Sequence, residues 1–128
     1  MARLKERLDM AESALRSFEE VVGQAGLSAL ERDAAILRSQ YSFEAVWKAA
    51  QVSLREREGT EAASPKQVVR ACLSTGILDA EAARDALALV DDRNLTVHTY
   101  NEPLALALVA RLADHAALLR VWLDRLRS

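Results

Sequence analysis

Residues 32–50 read RDAAILRSQYSFEAVWKAA, and the spacing of their apolar side chains indicates a long helix that packs on two sides. At about 100° per residue, the apolar side chains of this region form two stripes roughly 140° apart. The first stripe contains Ile36, Phe43, Trp47 and Leu54, and the second contains Leu30, Ala34, Leu37, Tyr41 and Val52. A helix of this kind must lie between other helices, so the stretch predicts a helical bundle.

A polar seam runs between the two stripes and contains Asp33, Gln40, Glu44 and Gln51. Polar groups flanked by apolar stripes should be partly buried, and buried polar groups need hydrogen-bond partners. The alternative is a groove wetted by solvent, in which these groups bond to water. We therefore expect polar contacts with a neighbouring helix along this seam.

The segments that flank this helix also have helical spacing. A first helix runs from about Ala2 to Val22, and its apolar face contains Leu4, Leu8, Ala11, Leu15, Phe18 and Val22. The second helix begins at Ser28, which forms a capping-box pattern with Glu31, and continues to about Arg57. The polar run EGTEAAS, residues 58–64, follows as a linker.

Three more helices complete the chain. A short third helix begins with Ser64 as its cap and Pro65 at its first position, with Gln67 completing a capping-box pattern, and it ends at Gly76. Asp79 caps a fourth helix. The last helix runs from about residue 102 or 103 to 126, with a core face of Leu104, Leu108, Leu112, Leu119 and Trp122. No segment has the spacing of a strand.

This pattern predicts an all-α fold, an antiparallel up-and-down four-helix bundle with one extra short helix, in one domain spanning residues 1–128. The net charge of −2 argues against a strongly basic nucleic-acid binder or a polybasic membrane anchor. No apolar run is long enough to cross a bilayer. A single cysteine, Cys72, excludes an intrachain disulfide, and we expect a buried thiol and a cytoplasmic protein.

Several catalytic patterns are missing. No glycine precedes a serine and no Asp-x-Asp pair occurs, so the chain lacks the phosphate loop and paired carboxylates of a nucleotidyltransferase. Cys72, His98 and His115 have no metal-ligand spacing, and we expect neither a metal nor a cofactor. His115 lies at helical spacing from the last helix's core face, which favours packing at the core or its edge.

Residues 91–102, DDRNLTVHTYNE, concentrate reactive groups in an otherwise alanine-rich chain. Arg93 can hold a phosphate, Asn94 can orient a ligand, His98 can transfer a proton and Tyr100 offers a phenol that could be modified. In an unbroken helix, positions 93 and 98 differ by about 140°. Both side chains could reach one phosphate if the helix bends, if the arginine wraps round it, or if a second subunit completes the site.

Residues 32–50, the run SPKQVVRACLSTGIL and residues 91–102 together resemble the nucleotidyltransferase substrate-binding branch of the HEPN superfamily. The signature of that family is an arginine, four residues, a histidine, one residue and a tyrosine, matched here by Arg93, His98 and Tyr100. The asparagine after the arginine is matched by Asn94. The aromatic-acid and Trp-Lys pairs of the second helix are matched by Phe43, Glu44, Trp47 and Lys48.

The resemblance implies a homodimer that associates with a minimal nucleotidyltransferase encoded nearby, or a larger heteromer with that partner. In toxin members, Arg93 and His98 would be the catalytic residues of a metal-independent ribonuclease acting on RNA, with Glu44, Lys48 and Asn94 as candidate substrate-binding residues. The partner would neutralise the toxin by transferring AMP to Tyr100.

Two other interpretations remain open at this point. The chain could be a non-catalytic subunit that binds a nucleotide or substrate for the partner enzyme, with His98 as a hydrogen-bond donor. Alternatively, Arg93, His98 and Glu44 could form a buried polar network that only fixes the packing of a helical dimer.

Overall fold

A computed structural model describes residues 2–98 and 102–128, with the side chains of residues 3–94 and 102–128. The helices in these ranges are α1 (Ala2–Val22), α2 (Ala29–Glu58), α3 (Pro65–Ser74), α4 (Ala80–His98) and α5 (Glu102–Arg127). The same ranges contain no strand. The sequence-based prediction of an all-α bundle, with four long helices and one short helix, is confirmed.

The starts of α2 and α4 follow from local hydrogen bonds that the sequence predicted. The Ser28 hydroxyl accepts from the Glu31 N–H at 3.1 Å, and the Glu31 carboxylate accepts from the Ser28 N–H at 2.9 Å. At the other end of α2, Gly59 has φ +64°, a left-handed conformation that favours glycine. The Asp79 carboxylate caps α4 by accepting from the Ala82 N–H at 2.8 Å.

The cap of α3 differs in one detail from its prediction. The Ser64 hydroxyl accepts from the Gln67 N–H at 3.3 Å, as expected. The Gln67 side chain, however, accepts from the Ala63 N–H at 2.8 Å and does not close a reciprocal pair with Ser64. The long glutamine side chain reaches one residue beyond the cap, so both groups still satisfy backbone donors at the start of the helix.

The largest part of the core lies between α1, α2 and α5, and buried side chains of α3 and α4 complete it. Its largest fully buried side chains include Phe18 from α1, Phe43 from α2 and Trp122 from α5. Helix α3 lies against α2, and α4 lies against α3 and α5. Cys72 of α3 is a free, buried cysteine, as predicted, and burial raises the pKa of its thiol to about 11.

The two apolar stripes of α2 have different environments. In the first stripe Phe43 and Leu54 are fully buried. In the second stripe Leu30, Leu37 and Tyr41 are 79%, 46% and 59% exposed, so this half of the stripe lies outside the core. At about 100° per residue, these three positions are roughly 120–160° round the helix from the buried core residue Ala35, on the outer side of α2.

Candidate functional site

The polar seam of α2 is half-buried along most of its length. Glu44, Gln40 and Gln51 are half-buried, and the Gln51 amide donates to the Ala62 carbonyl at 2.7 Å. Asp33 is exposed, so the prediction of burial was wrong at that end of the seam. The difference follows the packing, because the outer side of α2 near Asp33 faces solvent and not another helix.

Glu44 is the centre of a polar cluster that joins α2 to α4. One oxygen of its carboxylate accepts from an Nη of Arg93 at 2.6 Å. The other accepts from the Trp47 indole N–H at 3.2 Å and lies 3.8 Å from the Lys48 ammonium. A second Nη of Arg93 donates to the Asn94 side-chain oxygen at 3.2 Å.

The cluster brings together four of the six residues that the sequence singled out: Arg93, Asn94, Glu44 and Lys48. His98 is the last residue of α4, and its side chain lies outside the described residues. Tyr100 also lies outside them. The expectation that positions 93, 98 and 100 line one pocket therefore stays a prediction.

The cluster is accessible to an anionic ligand. The side chains of Arg93, Glu44 and Lys48 are 34%, 30% and 45% exposed. Two cations beside one carboxylate leave a formal charge of +1 among these three groups. A phosphate bound here could take charge-assisted hydrogen bonds from Arg93 while Glu44 keeps the guanidinium in place.

A second polar cluster lies immediately behind the first and was not foreseen from the sequence. The carboxylate of Asp92 accepts two hydrogen bonds from the Arg111 guanidinium, both at 2.9 Å. The same carboxylate lies 3.1 Å from Nε2 of His115. His115 is at the core edge, as expected, but it also has this polar partner. Burial lowers the pKa of its imidazole, and the nearby Asp92 opposes that effect.

The two clusters border one small cleft between α2, α4 and α5. Arg93 and Asp92 line it from α4, His115 lines it from α5, and Phe43 and Gln40 line it from α2. Its volume of about 20 Å³ has room for roughly one water molecule. A ligand larger than water does not fit into this cleft.

Within residues 2–98 and 102–128, no three His, Cys, Asp or Glu side chains are placed so that they could hold a metal ion. In the same part of the chain, no helix combines the length and the apolar character needed to cross a membrane.

Several solved structures of other proteins have the same fold as this chain. A crystal structure of a Thermus thermophilus protein is 55% identical and has a TM-score of 0.89, and the match covers 93% of this chain and 100% of the other. A comparison with curated proteins gave no significant match.

Two more distant structures come from toxin–antitoxin complexes. One is a tri-AMPylated Shewanella oneidensis HEPN toxin in complex with its MNT antitoxin. It is 18% identical, with a TM-score of 0.79, and the match covers 97% of this chain and 96% of the other. The other, from a mutant of the toxin–antitoxin MntA-HpeT, is 17% identical with a TM-score of 0.81, over 99% of this chain and 98% of the other. At these identities the likeness shows a shared fold.

The family model described as nucleotidyltransferase substrate binding protein like matches residues 6–128, nearly the whole chain. The chain therefore belongs to the nucleotidyltransferase substrate-binding protein-like family.

Proposed function

We propose that this chain is the toxin subunit of a toxin–antitoxin pair and that it cleaves RNA without a metal ion. The observation that carries the proposal is the Glu44–Arg93 pair, which holds a partly exposed guanidinium near the end of the helix that carries His98. The match to the nucleotidyltransferase-associated family supports the same function. The fold shared with a HEPN toxin that crystallised with its antitoxin is consistent with it.

The proposed chemistry needs one proton acceptor and one fixed cation. His98 takes the proton from a ribose 2′-hydroxyl as that oxygen attacks the adjacent phosphorus. Arg93 stabilises the negative charge that develops on the phosphoryl oxygens. The bond from phosphorus to the 5′-oxygen breaks, that oxygen takes a proton from water, and the products are a 2′,3′-cyclic phosphate and a 5′-hydroxyl. Lys48 and Asn94 would bind neighbouring phosphate or base groups.

We further propose that two copies of the chain share each site. Helix α4 is continuous through His98, so positions 93 and 98 are about 140° apart on one chain. The exposed Leu30, Leu37 and Tyr41 lie on the same side of α2 as Glu44, which gives the cluster an apolar border suited to a second copy. A histidine from one copy would then face an arginine from the other.

The partner in this proposal is a minimal nucleotidyltransferase, which acts as the antitoxin. The phenol of Tyr100 would lose its proton and attack the α-phosphorus of ATP, forming a phosphodiester between the tyrosine oxygen and AMP and releasing pyrophosphate. The bulky, anionic adduct would occupy the RNA site. The intact mass of the chain co-expressed with its partner should increase by whole AMP units, and Tyr100→Phe should abolish the increase.

The direct test is cleavage of total cellular RNA in EDTA by the purified protein and by His98→Ala. Arg84→Ala is the matched control, because position 84 lies on α4 about 180° round the helix from Arg93. We expect cleavage by wild type and Arg84→Ala and its loss in His98→Ala. Equal cleavage by wild type and His98→Ala, or none by either, would remove the proposal.

The second candidate is a non-catalytic subunit that binds a nucleotide for the partner enzyme. The family description, which names substrate binding, favours it, as does the placement of Arg93 beside Lys48. It predicts that AMP or ATP binds in calorimetry, that Arg93→Ala abolishes binding, and that RNA stays intact. Absence of nucleotide binding with and without the partner would reject it.

A further inference from the structure

Asp92 links the end of α4 to α5 through a carboxylate that is more enclosed than that of the neighbouring Asp91. Arg111 binds both carboxylate oxygens of Asp92, and His115 approaches one of them. The side chains of Asp92 and His115 are 15% and 13% exposed. The neighbouring Asp91 pairs with Lys66 of α3 at 3.0 Å, but those side chains are 63% and 43% exposed.

An open groove of about 560 Å³ lies between α4 and α5. Small side chains such as Ala82, Ala88 and Ala117 line it, together with Asp92, Arg111 and His115. Apolar packing holds α4 in the core through Ala83, Ala86, Leu89 and Val90, all of which precede Asp92 in the helix. The bidentate pair of Asp92 with Arg111 supplies a directional contact at the end of α4 that carries the candidate site.

We propose that Asp92, clamped by Arg111 and His115, is a positioning residue that orients the last turns of α4 and so aims Arg93 at Glu44. Positions 92 and 93 point about 100° apart on α4. Asp92 therefore anchors the helix to α5 while Arg93 faces α2, and rotation or fraying of these turns would move the guanidinium away from Glu44. The effect on RNA cleavage rests on the proposed function, but the orientation of Arg93 does not.

His115 acts in this clamp as a neutral hydrogen-bond donor. The charged groups that bear on it are Asp92 from α4 together with Arg111 and Asp114 from α5, and Arg93 borders the same cleft. Burial lowers the pKa of the imidazole, which keeps it uncharged near neutral pH. An uncharged imidazole donates one N–H, so a glutamine amide could replace that donor.

The test compares Asp92→Asn with its neighbour Asp91→Asn in the full-length protein. The guanidinium signals of Arg93, assigned by their loss in Arg93→Lys, are followed by nitrogen–proton NMR, together with amide hydrogen exchange. For Asp92→Asn we expect the Arg93 signals to shift or broaden and the amides of residues 90–95 to exchange about tenfold faster. Amides of α1 and the Asp91→Asn variant should stay unchanged. If Asp92→Asn does not fold, Arg111→Gln tests the same link from α5.

Two variants of His115 distinguish a positioning role of the contact with Asp92 from a general effect on stability. His115→Gln should keep the Arg93 signals and, where the wild type cleaves RNA, a rate within about twofold of it. His115→Leu should shift those signals and lower the rate about tenfold. Unchanged Arg93 signals in Asp92→Asn, or identical behaviour of the two His115 variants, would overturn the proposal. If the wild type does not cleave RNA, the proposed function fails, while the NMR and exchange results still decide the role of Asp92.

Discussion

Two arginines, Arg120 on α5 and Arg93 on α4, each join two helices of this bundle, but they are bound in different ways. Arg120 makes bidentate pairs with both Glu12 and Glu19 of α1, with four N–O distances between 2.7 and 3.1 Å. Arg93 meets Glu44 end-on, through one Nη and one carboxylate oxygen.

This difference suits Arg120 to joining two helices, whereas we propose that Arg93 can also bind a ligand. Glu12 and Glu19 surround Arg120 and raise the pKa of its guanidinium, and the hydrogen bonds from Arg120 in turn lower the pKa of Glu12 to about 2. A phosphate would have to displace both carboxylates to reach it. Among the described residues the carboxylate that pairs with Arg93 is that of Glu44, and the Arg93 side chain is 34% exposed, so we propose that a phosphate could bind beside this pair.

Replacing Arg93 should have the largest effect on RNA cleavage. Arg93→Lys keeps the charge but removes the fork, and we expect RNA cleavage to fall by roughly a hundredfold or more, with little change in unfolding free energy. Initial rates on a fluorescent RNA and urea unfolding would measure both. A rate within a few-fold of the wild type would place Arg93 with Arg120 as a structural cation.

Replacing Arg120 should have the opposite pattern. Arg120→Met leaves Glu12 and Glu19 facing each other without their shared cation, and we expect a loss of about 2 kcal/mol in unfolding free energy. The cleavage rate per folded molecule should be unchanged. Urea unfolding with Arg84→Met as the control for an exposed arginine away from Glu12 and Glu19 checks this, and equal losses in the two variants would contradict it.

Acid should weaken the ion pairs by which Arg120 of α5 binds Glu12 and Glu19 of α1. Since the pKa of Glu12 is lowered in the folded state, its contribution is fully present above its ordinary pKa of 4.5 and is lost as pH falls toward about 2. Between about pH 5 and pH 3, the wild type should lose roughly 1–2 kcal/mol more than Glu12→Gln. Parallel pH dependences of the two proteins would rule this out.

Removing a helix cap should have the smallest effect on the unfolding free energy. Ser28→Ala removes one half of the capping box at the start of α2 and should cost about 1 kcal/mol of unfolding free energy, without changing cleavage. Thermal unfolding by circular dichroism measures the loss. A change in activity would show that the start of α2 is coupled to the Arg93 site.

Most of the fold could be predicted from local patterns in the sequence. The cap at Ser28 and the cap at Asp79 depend on residues three positions away, so the sequence specifies them directly. The exposure of Leu30 and Tyr41 could not be predicted in the same way. Periodicity gives the direction of a side chain around its own helix axis, whereas the position of the neighbouring helices decides whether that direction is covered.

The candidate site likewise has a part that the sequence predicted and a part that it missed. Arg93 and Glu44 were singled out through residue types and family spacing, and the fold brings them into contact although 49 positions separate them. The pairing of Asp92 with His115 was missed, because an acid on one helix and a histidine on another carry no mutual signal in a single sequence. The roles of His98 and Tyr100 stay predictions.

The most direct test of the shared site mixes two inactive variants. Arg93→Ala and His98→Ala, unfolded together and refolded at equal concentration, should form mixed dimers in about half of the population. If arginine and histidine come from different chains, one of the two sites in each mixed dimer is intact, so about a quarter of wild-type cleavage should return. Recovery to about that level is the predicted result. No recovery above the separate variants, in a mixture shown to contain mixed dimers, would contradict a site built from two chains.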